Sequence, residues 1–305
     1  MQIFILGATG YIGGAIAKHA LHAGHTVQGL ARSDQAEATL RERGIVPVRG
    51  SIDDHEKLAH TARKSDAVVF VVSYGNDIQA AMRSLSATVD ALLLALEGSS
   101  KAFLFSSGVG AYGDTGNYEA SEDEPIHPDP LFAPLIQMEQ NILSAASRGV
   151  RSVVIRAAQV YGNGGGGSAP FVGLVDMARQ MGYVMYVGEG TNAWSTIHLD
   201  DLANLYMLAM ERAPAGTLLN AAAEPPVALK AIAEAVGRAA GLVDPPRSLL
   251  IDEANEVFGP FMTGFLARNM RISSARARAL LDWQAEKPSV LDDLTHGTYG
   301  SPSTR

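Results

Sequence analysis

The chain has 305 residues, 47% of them hydrophobic, enough to bury a large core in one two-lobed unit or two intimate domains. Its net charge is −8 and no run of Lys or Arg appears, which argues against nucleic acid or an anionic membrane surface as a partner. The absence of cysteine excludes disulfides, thiolate metal sites and cysteine nucleophiles. No charged leader precedes the first strand and no apolar run approaches the roughly twenty residues that span a bilayer, so the expectation is a cytoplasmic protein.

In chain order, Gln2 to Leu6 is a short apolar strand-like run, and Gly7-Ala8-Thr9-Gly10-Tyr11-Ile12-Gly13 leads from it into a helical pattern. A strand, a glycine turn and a helix make a diphosphate site. The first amides of a helix point outward unpaired at the positive end of its dipole. Gly7 takes the tight turn, Gly10 lets the backbone approach the phosphates, and Gly13 lets the helix pack closely on the strand. Thr9, Tyr11 and Ile12 complete the cradle.

The helix from Tyr11 to Ala23 stops at Gly24, and a strand runs from Thr26 to Ala31. A second helix, Asp34 to Arg43, stops at Gly44. A strand from Ile45 to Arg49, a short helix after Asp53 and the doubly apolar run Ala67 to Val72 follow, the last suited to a central parallel strand. Asp77 to Glu97 carries Leu85, Val89, Leu92, Leu93 and Leu96 at helical spacing, and Ala102 to Phe105 reads as the next strand. This alternation predicts an α/β fold with a doubly wound parallel sheet of Rossmann type and its ligand at the carboxyl ends of the strands.

The second strand ends Gly29-Leu30-Ala31-Arg32-Ser33 with no acid to hold ribose hydroxyls. Arg32, with the Ser33 hydroxyl, can instead pair with a 2′-phosphate, which favours NADP over NAD; Asp34 reads as the cap of the next helix.

GATGYIG, the strand end Ala102 to Gly108, the segment Arg156 to Gly162 (RAAQVYG) and the segment Trp194 to Ala203 (WSTIHLDDLA) occur in that order, followed by Ser274 to Trp283 (SARARALLDW). Together they resemble the extended short-chain dehydrogenase/reductase family of NAD-dependent epimerase/dehydratase type. The resemblance covers nearly the whole chain. It implies a dinucleotide-binding domain of residues 1–162 and 191–222 and a smaller, discontinuous substrate-binding lobe of residues 163–190 and 223–305. In that family a Ser, a Tyr and a Lys do the chemistry, the Lys lowering the tyrosine pKa from its usual value near ten. Counting back by fours from Glu139 gives Leu135 at the lysine position and Leu131 at the tyrosine position, and no Tyr or Lys lies between Glu119 and Arg148. The chain therefore reads as an atypical member.

The resemblance leaves Ser107 as the catalytic serine, with Ser106 as the fallback, and Tyr161 as a candidate proton donor that family members carry for packing. Tyr112 carries the same ambiguity. His198 belongs to a segment that braces the second lobe, with Asp200 placed to cap the helix Leu202 to Glu211; three adjacent residues in a corner do not favour a metal. Adenine falls to the Ile52 backbone or Asp53, and Val72 and Ser73 line the ribose and phosphates. Ala158 and Val160 flank the nicotinamide.

In the second lobe, Gly162 to Gly167 is a flexible bend, Ala169 to Met181 and Ala228 to Ala240 are helices, and Tyr183 to Val187 is a strand. Phe258, Phe261, Met262, Phe265 and Leu266 form either core or an apolar pocket wall. The leucines of Asp77 to Glu97 suit either the bundle of a homodimer or the covering of the chain's own sheet. The functional expectation is an NADP-dependent oxidoreductase or epimerase-like enzyme on a small, fairly apolar carbonyl-type substrate. The alternative is a non-redox NADP-binding sensor or regulator, or an isomerase or lyase on the same fold.

Overall fold

The computed structural model describes residues 1–72, 78–166 and 170–300, those at 78–80 and 131 by their backbone alone. The first half runs β1 (Gln2–Leu6), α1 (Tyr11–His22), β2 (Thr26–Ala31), α2 (Asp34–Glu42), β3 (Val46–Arg49), α3 (His55–Lys64), β4 (Ala67–Phe70), α4 (Ile78–Leu96) and β5 (Ala102–Gly108). Then come α5 (Ala133–Ser144), β6 (Arg151–Ala157), β7 (Gln159–Tyr161), α6 (Pro170–Met181), β8 (Met185–Val187), β9 (Ala193–Trp194), β10 (Thr196–His198), α7 (Leu199–Arg212) and β11 (Thr217–Ala221). The chain closes with β12 (Val227–Ala228), α8 (Leu229–Ala240), β13 (Arg247–Leu249), α9 (Ile251–Ala267), α10 (Ala275–Leu281) and α11 (Val290–His296).

Among the described residues the main sheet has seven strands in the order β11-β6-β5-β4-β1-β2-β3, every neighbouring pair parallel. Strand β4 is buried along its whole length, as a strand covered by helices on both faces must be. The order reverses between β1 and β4, which is where a doubly wound sheet opens a crevice for a ligand. Three two-stranded sheets, β7 with β10, β9 with β12 and β8 with β13, build the remainder.

Two apolar cores lie on opposite faces of the sheet. Alternate residues of one strand serve each: Ile3 and Ile5 join one cluster, Phe4 and Leu6 the other. Leu85, Val89, Leu92, Leu93 and Leu96 of α4 are all buried in the second cluster, so the leucine stripe covers the chain's own sheet, and of the leucines of this helix only Leu94 stands exposed. The cores also meet the helix-stop expectation physically: Gly24, Gly44 and Gly241 each take a positive φ just beyond their helices. Helix α9 differs from a plain helix, because Gly259 at φ 76°, ψ 159° and the following Pro260 break it into two pieces.

Candidate functional site

The glycine-rich loop sits at the carboxyl end of β1, beside the crevice. Gly7 has φ +100°, and a Cβ there would lie 1.9 Å from the Val71 carbonyl oxygen; a Cβ on Gly13 would lie 2.2 Å from the Gly7 oxygen. Only glycine fits at either position. Helix α1 starts at Gly10 with no side-chain cap and no acidic residue in its first turn. Its leading amides thus face outward without a competing anion, which fits a diphosphate. The Tyr11 hydroxyl donates to the Gly162 carbonyl at 2.6 Å, fastening the loop to the glycine bend after β7, and burial pushes that phenol well above the usual tyrosine range.

Arg32 and Ser33 follow β2 and are both exposed. The cap of α2 is Ser33, whose Oγ accepts the Ala36 N–H at 3.2 Å, and not Asp34. A serine hydroxyl that accepts here keeps its own proton to donate. Asp34 is the first helical residue and its carboxylate is held by Arg49 at 2.6 Å. Arg32 has no carboxylate partner among the described residues.

Beyond β3, the Ile52 carbonyl accepts from Thr88 Oγ1 at 2.7 Å and the Asp53 carboxylate accepts from Ser84 Oγ. Both groups offered for adenine are therefore engaged with α4. Val72, half-buried, follows β4. Ser73 lies outside the described residues, as do Asp77, Gly167 and Ala169. Ala158 and Val160 are buried at 4% and 8% exposure; the Ala158 N–H donates to Ala221 and Val160 pairs with Ile197, so both are packed into the core.

Ser107 stands near the end of β5, opposite Arg156 on β6. It is 7% exposed and its hydroxyl has no hydrogen-bond partner within the protein. A buried hydroxyl left free is costly, and this one is set at the strand ends where a ligand binds.

Tyr161 is not placed to give up a proton to a substrate. Its ring is 1% exposed, packed edge-on against Phe171 and His198, and its hydroxyl donates to the Pro288 carbonyl at 2.7 Å. Burial, with Glu224 nearby, pushes its pKa far above the ordinary value. Tyr112 is likewise structural, donating to Asn220 Oδ1 at 2.9 Å under the Arg156 guanidinium.

His198, not Asp200, caps α7, which begins at Leu199: His198 Nδ1 accepts the Asp200 N–H at 3.1 Å. Asp201 accepts the Glu286 and Lys287 amides at 3.0 and 3.2 Å, and its carbonyl takes the Trp283 indole N–H, tying the C-terminal segment down. Among the described residues no group of His, Asp and Glu is arranged to hold a metal, and no helix is long and apolar enough to cross a membrane.

The aromatic segment of α9 divides. Phe265 packs on Trp194 with ring centroids 5.2 Å apart. Phe258 and Leu266 line a small apolar cavity of about 30 Å³ together with Leu174, Val184, Tyr186 and Ile232. Phe261 and Met262 are exposed at 49% and 42%, and the Phe261 ring lies 6.4 Å from Phe132, just ahead of α5. A larger cleft of about 320 Å³ opens between Gly113, Asp114, His127, Pro128 and Asp129 on one side and Gly264, Ala267 and Arg268 of this segment on the other.

Two positions carry signals that pattern alone does not give. Glu139 of α5 and Arg156 form a buried ion pair at 2.6 Å, and Arg43 reaches back to the carbonyls of Ala8 and Thr9. Neither contact is local in sequence.

The family comparisons agree with this geometry. The model of the NAD dependent epimerase/dehydratase family matches residues 3–222. An uncharacterized protein of Saccharomyces cerevisiae is 34% identical over 300 residues, covering 96% of this chain and 98% of its own. A second, from Schizosaccharomyces pombe, is 31% identical over 98% of this chain and 100% of its own. The crystal structure of UDP-glucose 4-epimerase with UDP-glucose from Thermotoga maritima superposes with a TM-score of 0.80 at 19% identity, over 98% of both chains, a likeness of fold. The chain belongs to the NAD-dependent epimerase/dehydratase family, the extended branch of the short-chain dehydrogenases/reductases. An NAD(P) cofactor is typical of that family.

Proposed function

We propose that the chain is an NADP-dependent oxidoreductase or epimerase-like enzyme acting on a small, fairly apolar carbonyl-type substrate. The observation that carries the reading is Arg32. It is exposed at the carboxyl end of β2 with no carboxylate partner among the described residues, and the nearest acid along the chain, Asp34, is paired with Arg49. An acid at that strand end would hold ribose hydroxyls and repel an added phosphate; a guanidinium fork attracts it.

The amides of Tyr11, Ile12 and Gly13 would hold the diphosphate, since their helix has neither a capping side chain nor a first-turn acid. When bound, the nicotinamide supplies or accepts a hydride. Ser107 donates its free hydroxyl to the substrate oxygen and orients it. Residues 163–190 and 223–305 supply substrate walls, with the exposed Phe261 and Met262 and the neighbouring Phe132 favouring an apolar body.

One observation favours the second reading. No Tyr or Lys lies between Glu119 and Arg148, and Tyr161 is locked on Pro288, so the usual proton donor has no counterpart at these positions. On that reading the fold binds NADP as a sensor or regulator, or serves isomerase or lyase chemistry. Incubating the full chain with NADPH and a panel of small ketones, aldehydes and imines separates the two. Oxidation of NADPH by any member supports the enzyme; tight binding with no oxidation across the panel supports the second reading.

A further inference from the structure

We propose that Arg43 is a second cation of the adenosine 2′-phosphate site, reaching the glycine-rich loop from the far end of α2. The proposal rests on the NADP reading above and extends it to a residue that no motif marks. Arg43 Nη1 donates to the main-chain carbonyls of Ala8 and Thr9, each at 3.2 Å. A Cβ built on Gly14 would lie 2.9 Å from that same nitrogen, so the guanidinium rests against the first turn of α1.

This places it at the loop that overlies β2, the strand that Arg32 follows. A Cβ on Gly29 would lie 3.0 Å from Ala8 Cβ, so Ala8 overlies β2. Strands β1 and β2 pair with Ile5 opposite Gly29, and Arg32 follows three residues further on, just past Ala31 at the end of β2. One arginine flanks this ledge from the strand side and the other from the loop side.

Two neighbouring acids are already occupied. Glu37 pairs with Arg41 and Arg49, and Asp34 with Arg49. Arg32 and Arg43 have no carboxylate partner among the described residues. Anchoring one Nη on two carbonyls leaves the remaining N–H groups of the planar fork to meet a phosphate monoester, and the anchored side chain has less rotamer freedom to lose on binding. The same contact turns the Ala8 and Thr9 carbonyls toward a cation.

The test is titration of the full chain, wild type, R43Q and R43K, with NADPH and with NADH, followed by nicotinamide fluorescence. R43Q is expected to weaken NADPH by about tenfold or more while leaving NADH within about twofold, and R43K to keep part of the preference, since a charge-assisted fork contact is lost but the charge stays. If R43Q weakens both nucleotides alike, Arg43 only braces the loop and the proposal is wrong. If it weakens neither, the side chain does not reach the phosphate and the proposal is equally wrong. A wild-type chain that prefers NADH overturns the NADP reading together with Arg43, a result visible without any variant; a wild-type preference for NADPH that R43Q leaves intact overturns Arg43 alone.

Discussion

Arg156 of β6 and Glu139 of α5 close a two-point ion pair, Nη2 to Oε2 at 2.6 Å and Nε to Oε2 at 3.1 Å, with 5% and 2% of their side chains exposed. The pair fixes α5 against the sheet end that carries Ser107. It is also the first link of a polar chain. The Arg156 guanidinium lies 4.8 Å from the Tyr112 ring centroid, Tyr112 donates to Asn220, and the Asn220 N–H donates to the Glu122 carboxylate at 2.7 Å. Strands β5, β6 and β11 are held together at their carboxyl ends by this run.

Breaking the pair leaves a buried, uncompensated guanidinium. Glu139→Gln is therefore expected to cost about 3–5 kcal/mol, read as a lowered denaturant midpoint at unchanged slope. A loss below about 1 kcal/mol, the range of exposed pairs, would show that the pair does not organise this end of the sheet.

Ser107→Ala separates binding from folding. The hydroxyl has no partner within the protein, so its removal is expected to change stability by no more than about 0.5 kcal/mol. Turnover of any carbonyl compound found to oxidise NADPH is expected to fall about 100-fold, the scale for losing one positioned donor. Unchanged turnover would end the role given to Ser107.

Tyr161→Phe is expected to show the reverse pattern. The variant loses the bond to the Pro288 carbonyl, at a cost of about 1 kcal/mol, while the same turnover stays within about twofold. A large loss of turnover at unchanged stability would make Tyr161 a participant after all.

His198 predicts an acid sensitivity. Burial holds its imidazolium below the usual histidine range, against the pull of Asp200, Asp293 and Asp201, and Nδ1 is already an acceptor. The unfolded chain therefore binds this proton more readily than the folded one, so the contribution is whole above about pH 6.5 and declines as pH falls through that value. Asn keeps a capping acceptor without titrating. The melting temperature of the wild type is expected to fall more steeply than that of His198→Asn between about pH 7 and pH 5.5. Equal slopes would assign the acid sensitivity to other groups.

What could be read from sequence alone follows from range. The opening loop, the alternation of strand and helix and the glycine stops at Gly24, Gly44 and Gly241 depend on neighbours within a few residues, and pattern reports them well. Cap assignments slipped by one or two residues, Asp34 for Ser33 and Asp200 for His198, because adjacent polar residues have similar capping propensity and only geometry separates them. Strand β8 falls within the predicted Tyr183 to Val187 run, while the other strands of the three small sheets, with two or three residues each, are too short for a period to show. Tyr161 found its partner 127 residues away in Pro288, and Arg43 lies 35 residues from Ala8. Contacts of that separation leave no local trace. The apolar residues of α9 read in sequence as either core or a pocket wall, and the fold divides them, with Phe265 and Leu266 packed inward and Phe261 and Met262 exposed.

On the proposed reading, an outward-facing loop of amides and the arginine after β2 select NADP. Titrating the wild-type chain and Arg32→Asp with NADPH and NADH tests it most directly. The account predicts that the wild type binds NADPH at least about tenfold more tightly than NADH, and that Arg32→Asp abolishes or reverses that preference. Tighter binding of NADH by the wild type, or a preference that Arg32→Asp leaves unmoved, would contradict it.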